Sequence, residues 1–461
     1  AVSHGATYNN YPLPIDEWTI GDYLVPHGLR TALIGKTHMA PDLAAMKRLG
    51  VDPTSDIGIF IRECGLEPVV RDDGLHPDPG FTEGGPYQAY LKAKGYEGHN
   101  LWHEIANSAH NENGDLLSGW YMRHAGQPAV VAEEHSETAW VTDRAIDFIT
   151  DSGEDPWCLH LSYIKPHWPY IAPSPYHQKY SADDVPPANR SKSELLDPHP
   201  LVDAFRQHDE SQAFSRDICR ETVIPTYMGM IEQIDDHIGR LMQMLWSSGR
   251  MNDTMIVFTS DHGDYLGDHW LGEKELFYDS AVRIPMIVVD PRQQADASRG
   301  TADDRFVESI DLLPTFIDAV GGDVSAHDHR LEGRSLLPLL HGEDPDDWRD
   351  VTFSECDYSL RHARRTVGLS PDRARGWMVR NRNWKYVVWE DMPPQLFDLQ
   401  HDPNERADIG RDPRYKRIRS ELHNRMFDWL RARKTRTGIS NRDIEARTGK
   451  AHERGYLFGL W

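Results

Sequence analysis

Short apolar segments alternate with longer amphipathic ones along most of the chain, and this alternation predicts the fold. Residues 30–35, 157–163 and 255–259 are apolar runs of strand length. Between residues 222 and 250, apolar side chains recur in steps of three and four, which predicts a long amphipathic helix. Residues 138–149 have the same spacing. Helices that precede strands in this order predict an α/β fold, with a mixed, mainly parallel sheet sandwiched by helices.

Two long stretches, residues 57–131 and 183–208, interrupt this alternation. They are rich in polar residues and glycine and have weak periodicity. Because connections with these properties run over a surface and often carry function, we expect both to be excursions over the active face of the sheet.

The composition changes near residue 343, and a different pattern follows. Residues 376–380 and 384–389 alternate between apolar and polar positions, and a further short strand is expected at 395–399. A helix is predicted at 415–433. These elements predict a smaller C-terminal α+β unit that carries an antiparallel sheet.

The pattern divides the chain into three parts. We predict an α/β catalytic domain over 1–343, a C-terminal α+β subdomain over 344–434 and a tail over 435–461. The tail is charged until its last seven residues, Gly-Tyr-Leu-Phe-Gly-Leu-Trp. An apolar end of this kind usually docks onto its own chain or onto a partner, so we expect a homo-oligomer that assembles through the tail.

The charge of the chain limits its partners. Lysine and arginine number 50 against 73 aspartates and glutamates, a formal net charge of −23 over 461 residues. This charge repels nucleic acid and anionic membrane surfaces, and an anionic substrate would need a local cationic pocket. The longest apolar runs are strand-sized, far short of the roughly 20 residues of a membrane span. We therefore expect no membrane span.

The four cysteines are widely spaced and match neither a zinc site nor a disulfide framework. Free thiols in a reducing compartment are the simplest interpretation, which favours the cytoplasm over the periplasm. The chain opens on Ala-Val-Ser-His-Gly, without an initiator methionine, so an N-terminal targeting signal cannot be judged from it.

A carboxylate and an imidazole, Asp261 and His262, directly follow the predicted strand at 255–259. Open α/β sheets bind their ligands beyond the carboxyl ends of their strands, so the pair has the position and the donor types of half a metal site. Because aspartate also commonly starts turns and helices, a capping role is an equally good interpretation of the pair alone.

Three cationic segments also follow predicted strands. They contain Lys36 with His38, Lys165 with His167, and Lys274. Since parallel strands share a carboxyl edge, we expect these groups to converge on the Asp-His pair, where lysines bind a tetrahedral oxyanion and histidines move protons. Each lysine or histidine alone is more often only solvated.

A set of short motifs, in order along nearly the whole chain, resembles the sulfatases of the alkaline phosphatase superfamily. The motifs are Gly35-Lys36-Thr37-His38, Lys165-Pro166-His167, Ser260-Asp261-His262-Gly263-Asp264, Leu266-Gly267-Asp268-His269, Lys274 through Tyr278 to Arg283-Ile284-Pro285, Ser309-Ile310-Asp311-Leu312-Leu313-Pro314-Thr315, Gly333-Arg334-Ser335-Leu336, Trp384-Lys385-Tyr386, Leu396-Phe397-Asp398-Leu399 and Asp402-Pro403-Asn404-Glu405. Within the superfamily, the layout is similar to phosphonate monoester hydrolases and the bacterial arylsulfatases close to them.

The resemblance implies a role for each matching residue. Asp261 and His262 would bind a divalent cation, Ca²⁺ ahead of Mn²⁺ or Mg²⁺. Lys36 would help to hold the nucleophile and the sulfate, and His38 would take a proton from the modified nucleophile. His167 and Lys274 would contact the sulfate and the leaving oxygen, with His167 protonating the leaving alcohol.

The implied substrate is a small-molecule sulfate monoester. Phosphonate monoester hydrolases tend to lack the first lysine and histidine, so Lys36 and His38 favour sulfate esters; a phosphonate monoester or phosphodiester hydrolase is the alternative. Trp168, with Trp102 and Tyr170, could form a wall for an aryl leaving group, although aromatic residues more often belong to the core.

This chain departs from the family's pattern at the nucleophile. In sulfatases it is a formylglycine made from a cysteine or serine in a Cys-x-Pro-x-Arg type motif, and no cysteine of this chain lies in one. The Asp-rich strand end that supplies the other metal ligands is also absent. The chain thus resembles a family member without its N-terminal segment, and we expect an incomplete metal site and little turnover. A non-catalytic, degenerate binding protein is the other interpretation.

Overall fold

The structure, a computed structural model, describes residues 6–9, 11–72, 85–111, 113–434, 437–448 and 450. The strands are β1 (Pro12–Leu13), β2 (Arg30–Gly35), β3 (Ala40–Pro41), β4 (Glu67–Arg71), β5 (Ser108–His110), β6 (Leu116–Ser118), β7 (Trp157–Ser162), β8 (Ile256–Thr259), β9 (Met286–Val289), β10 (Thr352–Asp357), β11 (Arg375–Arg380), β12 (Trp384–Trp389) and β13 (Gln395–Asp398).

The helices are of two kinds, short ones around the loops and long ones against the sheet. They are α1 (Ile20–Leu24), α2 (Leu43–Leu49), α3 (Asp56–Arg62), α4 (Pro86–Ala93), α5 (Glu137–Asp151), α6 (Pro200–Arg206), α7 (Asp209–Phe214), α8 (Asp217–Ser247), α9 (Asp279–Val282), α10 (Leu312–Ala319), α11 (Leu337–Leu340), α12 (His362–Thr366), α13 (Lys416–Ala432) and α14 (Asn441–Arg447).

Strand β2 is the centre of the parallel part of the sheet. It pairs in parallel with β4 on one side and with β7 on the other, and Gly35 lies opposite Ser162 at the carboxyl end. From Thr31 onward β2 is buried, as expected of a strand covered on both faces. The strand ends before Lys36 and Lys165 therefore belong to adjacent strands, as predicted, whereas β8, which precedes Asp261, lies outside this parallel sheet and pairs only with β9 among the described strands.

Strand β4 corrects the expectation that residues 57–131 form one long excursion. Helix α3 and strand β4 both lie in its first part, and β4 is an integral member of the parallel sheet. The strand has only five residues, Glu-Pro-Val-Val-Arg, with a charge at each end and a proline inside. So short a segment cannot display a period, which is why the pattern did not reveal it.

Strands β8 and β9 form an antiparallel pair that is separate from the parallel sheet, so the described strands of the α/β part include both orientations but not within one sheet. Phe258 and Ile287 lie opposite each other in this pair, and they are 41% and 59% exposed. The pair thus presents apolar side chains outward, unlike β2.

Helices α5 and α8 confirm the two long helices of the pattern. Ser136 caps α5 by accepting a hydrogen bond from the Ala139 amide, and α8 continues through Pro225. Residues of α5, including Trp140 and Phe148, form one apolar cluster with Ala32 and with other residues of β2. This packing fixes β2 and hence the loop that follows it.

The C-terminal unit is a four-stranded antiparallel sheet in the order β10-β11-β12-β13. Helix α13 packs Leu422 and Met426 against it. The first strand begins at Thr352, and the boundary at residue 343 stays a prediction. The apolar end of the tail, residues 455–461, lies outside the described residues. In the part of the chain that the structure describes, no helix has the length and apolar character that crossing a membrane requires.

Candidate active site

The loop after β2 starts at a glycine that no other residue could replace without displacing its neighbour. Gly35 has a φ of +106°, and a Cβ there would lie 1.9 Å from the carbonyl oxygen of Ser162. The same carbonyl accepts a hydrogen bond from the Lys36 amide at 3.2 Å. The sequence Gly-Lys therefore turns the chain sharply and leaves Lys36 at the carboxyl edge of the sheet.

Lys274 and His167 form a direct hydrogen bond at this edge. The Lys274 ammonium donates to Nε2 of His167 over 2.8 Å. Burial, followed by the charges of Lys274 and Lys36 and the ring of His262, lowers the pKa of His167 to about 2. His167 is accordingly neutral. Because Lys36, His262 and Lys274 all act on this ring, four segments of the sequence meet at one place.

His262 has the orientation of a metal ligand. Its Nδ1 donates to the Gly263 carbonyl at 2.7 Å, so the lone pair of the neutral ring is on Nε2. This Nε2 lies 3.5 Å from Oδ2 of Asp261, whose side chain is 71% exposed. Burial and then the charge of Lys274 lower the pKa of His262, which keeps the ring neutral.

The two donors fit one divalent cation as part of its ligand set. A carboxylate oxygen and an imidazole nitrogen at this spacing can share an ion, but a Ca²⁺ ion takes six to eight oxygen-rich ligands. Among the described residues, no group of three or more His, Cys, Asp or Glu side chains could hold a metal ion. Asp261 and His262 are thus a partial site that needs further ligands.

The turn after His262 is tied to the segment that carries Lys274. The Gly263 amide donates to the carbonyl of Ala281 at 2.8 Å, and a Cβ on Gly263 would meet the Ser280 carbonyl at 2.0 Å. The next carboxylate, Asp264, is half-buried and accepts a hydrogen bond from the Tyr170 hydroxyl at 2.8 Å. Burial raises the pKa of Asp264 to about 7. These contacts hold the two segments in a fixed relation.

Lys165 does not contribute its charge to this edge. Its ammonium donates to Oδ1 of Asn107 at 2.7 Å and to the Pro169 carbonyl at 2.5 Å. Burial lowers the pKa of Lys165 to about 8. The residue organises the loop that presents His167, which is a structural role that spacing alone could not distinguish. His38 is half-buried in the loop after β2, two residues beyond Lys36.

The aromatic residues near His167 differ in exposure. Trp102 and Tyr170 are buried, so only Trp168 of the three proposed wall residues is accessible. Sequence analysis missed Trp120, which is 37% exposed and has its ring centroid 6.3 Å from that of Trp168. Its indole N–H donates to Nδ1 of His103 at 2.8 Å. The signal that could have revealed it is an aromatic pair, Trp120-Tyr121, in a polar stretch.

The four cysteines are all free. Burial raises the pKa of Cys64, Cys158 and Cys219 to about 11 each and that of Cys356 to about 12. Each is a neutral thiol near pH 7, and the thiolate is the nucleophilic form. None of the four is poised for nucleophilic attack.

Comparison with protein families gives two matches. Residues 2–322 match the sulfatase family, and residues 267–432 match the family described as N-sulphoglucosamine sulphohydrolase, C-terminal. Together they span the parallel sheet, the site and the C-terminal antiparallel sheet.

Comparison with individual proteins and solved structures also finds sulfatases and related hydrolases of the alkaline phosphatase superfamily. The chain is 30% identical to the multifunctional alkaline phosphatase superfamily protein PehA of Trinickia caryophylli, over 95% of this chain and 83% of that protein. It is 26% identical to an arylsulfatase of Clostridium perfringens, over 96% of this chain and 80% of the relative. Its structure is similar to the phosphonate monoester hydrolase SpPMH of Silicibacter pomeroyi, with a TM-score of 0.80, 27% identity and coverage of 94% and 84%.

Proposed function

This chain belongs to the sulfatase family of the alkaline phosphatase superfamily, and we propose that it is a sulfuric ester hydrolase that cleaves a small-molecule sulfate monoester. One observation carries the proposal: the Lys274–His167 hydrogen bond lies within electrostatic reach of Lys36, beside the Asp261–His262 pair. A chain of net charge −23 thus concentrates positive charge at one sheet edge, where an anionic substrate needs it.

Each residue of the site has a proposed task. Lys36 and Lys274 hold the sulfuryl oxygens as fixed positive charges. His167 protonates the leaving oxygen while the Lys274 ammonium, hydrogen-bonded to its Nε2, gives that nitrogen a proton, so the ring stays neutral and Lys274 is left as an amine. Asp261 and His262 would hold a divalent cation, with Ca²⁺ the first candidate, which would supply further positive charge to the sulfuryl group.

The family implies a formylglycine nucleophile, and none of the four cysteines lies in the Cys-x-Pro-x-Arg type motif that would supply it. His38 would take the proton from the formylglycine. The buried, neutral thiols of the four cysteines agree with this, because none is placed to attack a substrate. Sequencing the gene, including the region upstream of Ala1, tests whether such a motif accompanies this chain.

We propose that the leaving alcohol of the sulfate ester is aromatic. Trp168 directly follows His167, and Trp120 extends its ring surface outward. A planar leaving group could stack on these rings while its oxygen faces His167.

A phosphonate monoester or phosphodiester is the second candidate substrate. The similarity to SpPMH, at a TM-score of 0.80, favours it, and the same lysines would bind a phosphoryl group. Lys36 and His38 are the residues that favour sulfate. Comparing the turnover of 4-nitrophenyl sulfate with that of a 4-nitrophenyl phosphonate monoester separates the two.

Binding of inorganic sulfate tests the site independently of turnover. Titration calorimetry in the presence of Ca²⁺ should detect sulfate binding, and Lys274→Ala should weaken it by about tenfold or more. Lys179→Ala is the matched control, because this lysine pairs with Glu232 on the surface. Equal affinities in all three proteins would contradict the proposal. Sulfate binding with no turnover of either ester fits both a sulfatase without its nucleophile and a degenerate binding protein, and the gene sequence upstream of Ala1 separates these two.

We also expect a cytoplasmic homo-oligomer that assembles through residues 435–461. Light scattering on the full chain and on a variant that ends at residue 450 tests the assembly. A smaller particle for the shortened variant is expected, and an unchanged mass would contradict a role for residues 451–461.

A further inference from the structure

The segment that joins His262 to Lys274 and its helix has an unusual backbone. Five of its residues other than glycine have positive φ: Leu266 (46°), His269 (52°), Trp270 (63°), Glu273 (65°) and Leu276 (81°). Side chains with a Cβ rarely adopt this region, and each such residue strains the backbone. Such a backbone persists only where surrounding contacts hold it, so its contacts show what keeps Lys274 in place.

The first half of the segment is held by arginines and by an aromatic ring. Arg220 donates to the Leu266 carbonyl at 3.1 Å, and Arg206 donates to the His269 carbonyl at 3.0 Å. The ring of Tyr278 stacks on that of His269, with centroids 4.0 Å apart. These partners all come from the α/β domain.

Tyr265 fixes the residues on either side of Lys274. Its amide donates to the Glu273 carbonyl at 2.9 Å, and its hydroxyl donates to the Glu275 carbonyl at 2.7 Å. Lys274 is therefore tied at both flanks, and Leu276, with its positive φ, is the next point at which the backbone could rotate.

The second half of the segment is held from the C-terminal sheet. Lys385 on β12 is fully buried, and its ammonium donates to the Phe277 carbonyl at 2.8 Å and to Oδ1 of Asp279 at 2.6 Å. It also pairs with Glu405, which follows β13. Glu405 in turn accepts a hydrogen bond from the Asp279 amide through Oε2 at 2.7 Å. One buried cation thus binds both sides of the boundary between the C-terminal sheet and the Lys274 segment.

We propose that Lys385 and Glu405 are positioning residues for Lys274, so that the C-terminal sheet fixes where the sulfate-binding ammonium lies. The inference rests on the proposed function. Lys385 and Glu405 immobilise residues 277–279, Tyr265 immobilises residues 273–275, and the strained Leu276 between them then has no freedom to rotate. Without the buried pair, the strain at Leu276 can relax and displace the Lys274 ammonium from His167.

The test measures affinity for inorganic sulfate by titration calorimetry on the full chain with Ca²⁺. Because a displacement of about 1 Å is enough for a large loss, Lys385→Met should weaken sulfate binding by about tenfold. Glu405→Gln keeps the shape and most hydrogen bonds and should weaken binding by about threefold. It is the second variant in case Lys385→Met does not fold.

A double-mutant cycle separates positioning from general destabilisation. If Lys385 and Glu405 act through Lys274, neither variant should reduce sulfate affinity further once Lys274→Ala is present. Arg349→Met is the matched control, because it also removes a cation from a buried carboxylate, Asp311, in another part of the fold. This control should bind sulfate like the unmodified chain.

The outcomes are distinguishable. If the unmodified chain binds no sulfate, the proposed function fails. If it binds sulfate, and Lys385→Met and Glu405→Gln bind as tightly, the positioning inference fails while the proposed function stands. Losses that persist undiminished in the Lys274→Ala background, or that Arg349→Met reproduces, would also overturn the inference.

Discussion

Single residues decide whether the loop after β2 reaches the site. Gly35 is the last residue of the central strand, and its Cα faces the carbonyl of Ser162 with no space for a side chain. This is a requirement of backbone approach, and it is separate from the chemistry of Lys36, which follows. A substitution at Gly35 therefore changes the position of Lys36 without changing its charge.

We predict that Gly35→Ala disrupts both stability and sulfate binding. The new Cβ would lie 1.9 Å from the Ser162 oxygen at a φ of +106°, so the two strand ends must separate. A loss of about 2–4 kcal/mol in the free energy of unfolding is expected, with sulfate affinity reduced at least tenfold. Urea unfolding and calorimetry measure the two effects. Gly28→Ala is the control, because Gly28 also has positive φ but no neighbour within 4 Å. Equal behaviour of both variants would contradict the steric argument.

Asp290, which follows β9, gives a prediction with a defined pH dependence. It is buried, and it accepts hydrogen bonds from Arg292 at 2.7 and 2.8 Å and lies 3.0 Å from Nε2 of His341. Although burial opposes ionisation, the hydrogen bonds from Arg292 and His341 lower the pKa of Asp290 to about 2. The carboxylate therefore stabilises the fold above its unfolded pKa, near 3.9, and this contribution is lost as the pH falls through about 2.

Asp290→Asn should accordingly lower the free energy of unfolding by about 2–4 kcal/mol near pH 7. The difference from the unmodified chain should shrink as the pH falls from about 4 to about 2, because the carboxyl of the unfolded chain takes up a proton first and the native carboxyl does so only near pH 2. Urea unfolding at a series of pH values measures it. A difference that stays constant from pH 7 to pH 3 would show that the charge is not the cause.

At this scale the sequence predicted residue types better than roles. His167 and Lys274 were predicted to meet, and the structure joins them by one hydrogen bond. Lys165 was predicted to join them, but it turns to Asn107 instead, and spacing cannot indicate which way a side chain points. Trp120 was missed because its proximity to Trp168 arises from tertiary packing between distant segments. The residues that follow strands could be predicted to come together. The direction of each side chain and the contacts between distant segments depend on tertiary packing and could not be predicted.

The helices and strands also differ in how far the sequence pattern could predict them. The long helices α5 and α8 were predictable because many residues repeat one period, whereas β4 is too short to show any. The pairing of β8 with β9 in antiparallel orientation was also outside what the pattern indicates. This pair has a property of its own, since its two facing residues, Phe258 and Ile287, are exposed.

We predict that this exposed pair promotes self-association. Large apolar side chains together on a sheet face are an aggregation surface, and threonine keeps the strand preference while reducing the apolar area. The double variant Phe258→Thr with Ile287→Thr should scatter less light at high concentration, at a cost below about 2 kcal/mol of unfolding free energy. Trp246→Thr is the control, because Trp246 is 72% exposed but lies on helix α8 and not on a strand. Unchanged scattering in the double variant, or an equal fall in the control, would contradict the prediction.

The net charge of the whole molecule is negative, whereas the local charge at the candidate site is positive. The net charge of −23 attracts every divalent cation weakly, while the local cluster of Lys36 and Lys274 repels cations from the very edge where a metal is proposed. Specific binding therefore has to come from Asp261 and His262 against that local field. A test of metal binding must separate this specific term from the general attraction, which salt screens.

Calcium should raise the melting temperature of the unmodified chain relative to EDTA by about 3 °C when the ion is at about one hundred times its dissociation constant. Sodium chloride holds the ionic strength equal, so the general attraction cancels. Asp261→Asn should abolish most of the shift, because it removes the carboxylate whose Oδ2 lies 3.5 Å from Nε2 of His262. Asp253→Asn is the matched control, since this exposed carboxylate precedes the same strand and pairs only loosely with Arg250, at 3.6 Å. If Asp261→Asn keeps the shift, or Asp253→Asn loses as much of it, the cation binds through the overall charge, and the assignment of Asp261 as a ligand is wrong.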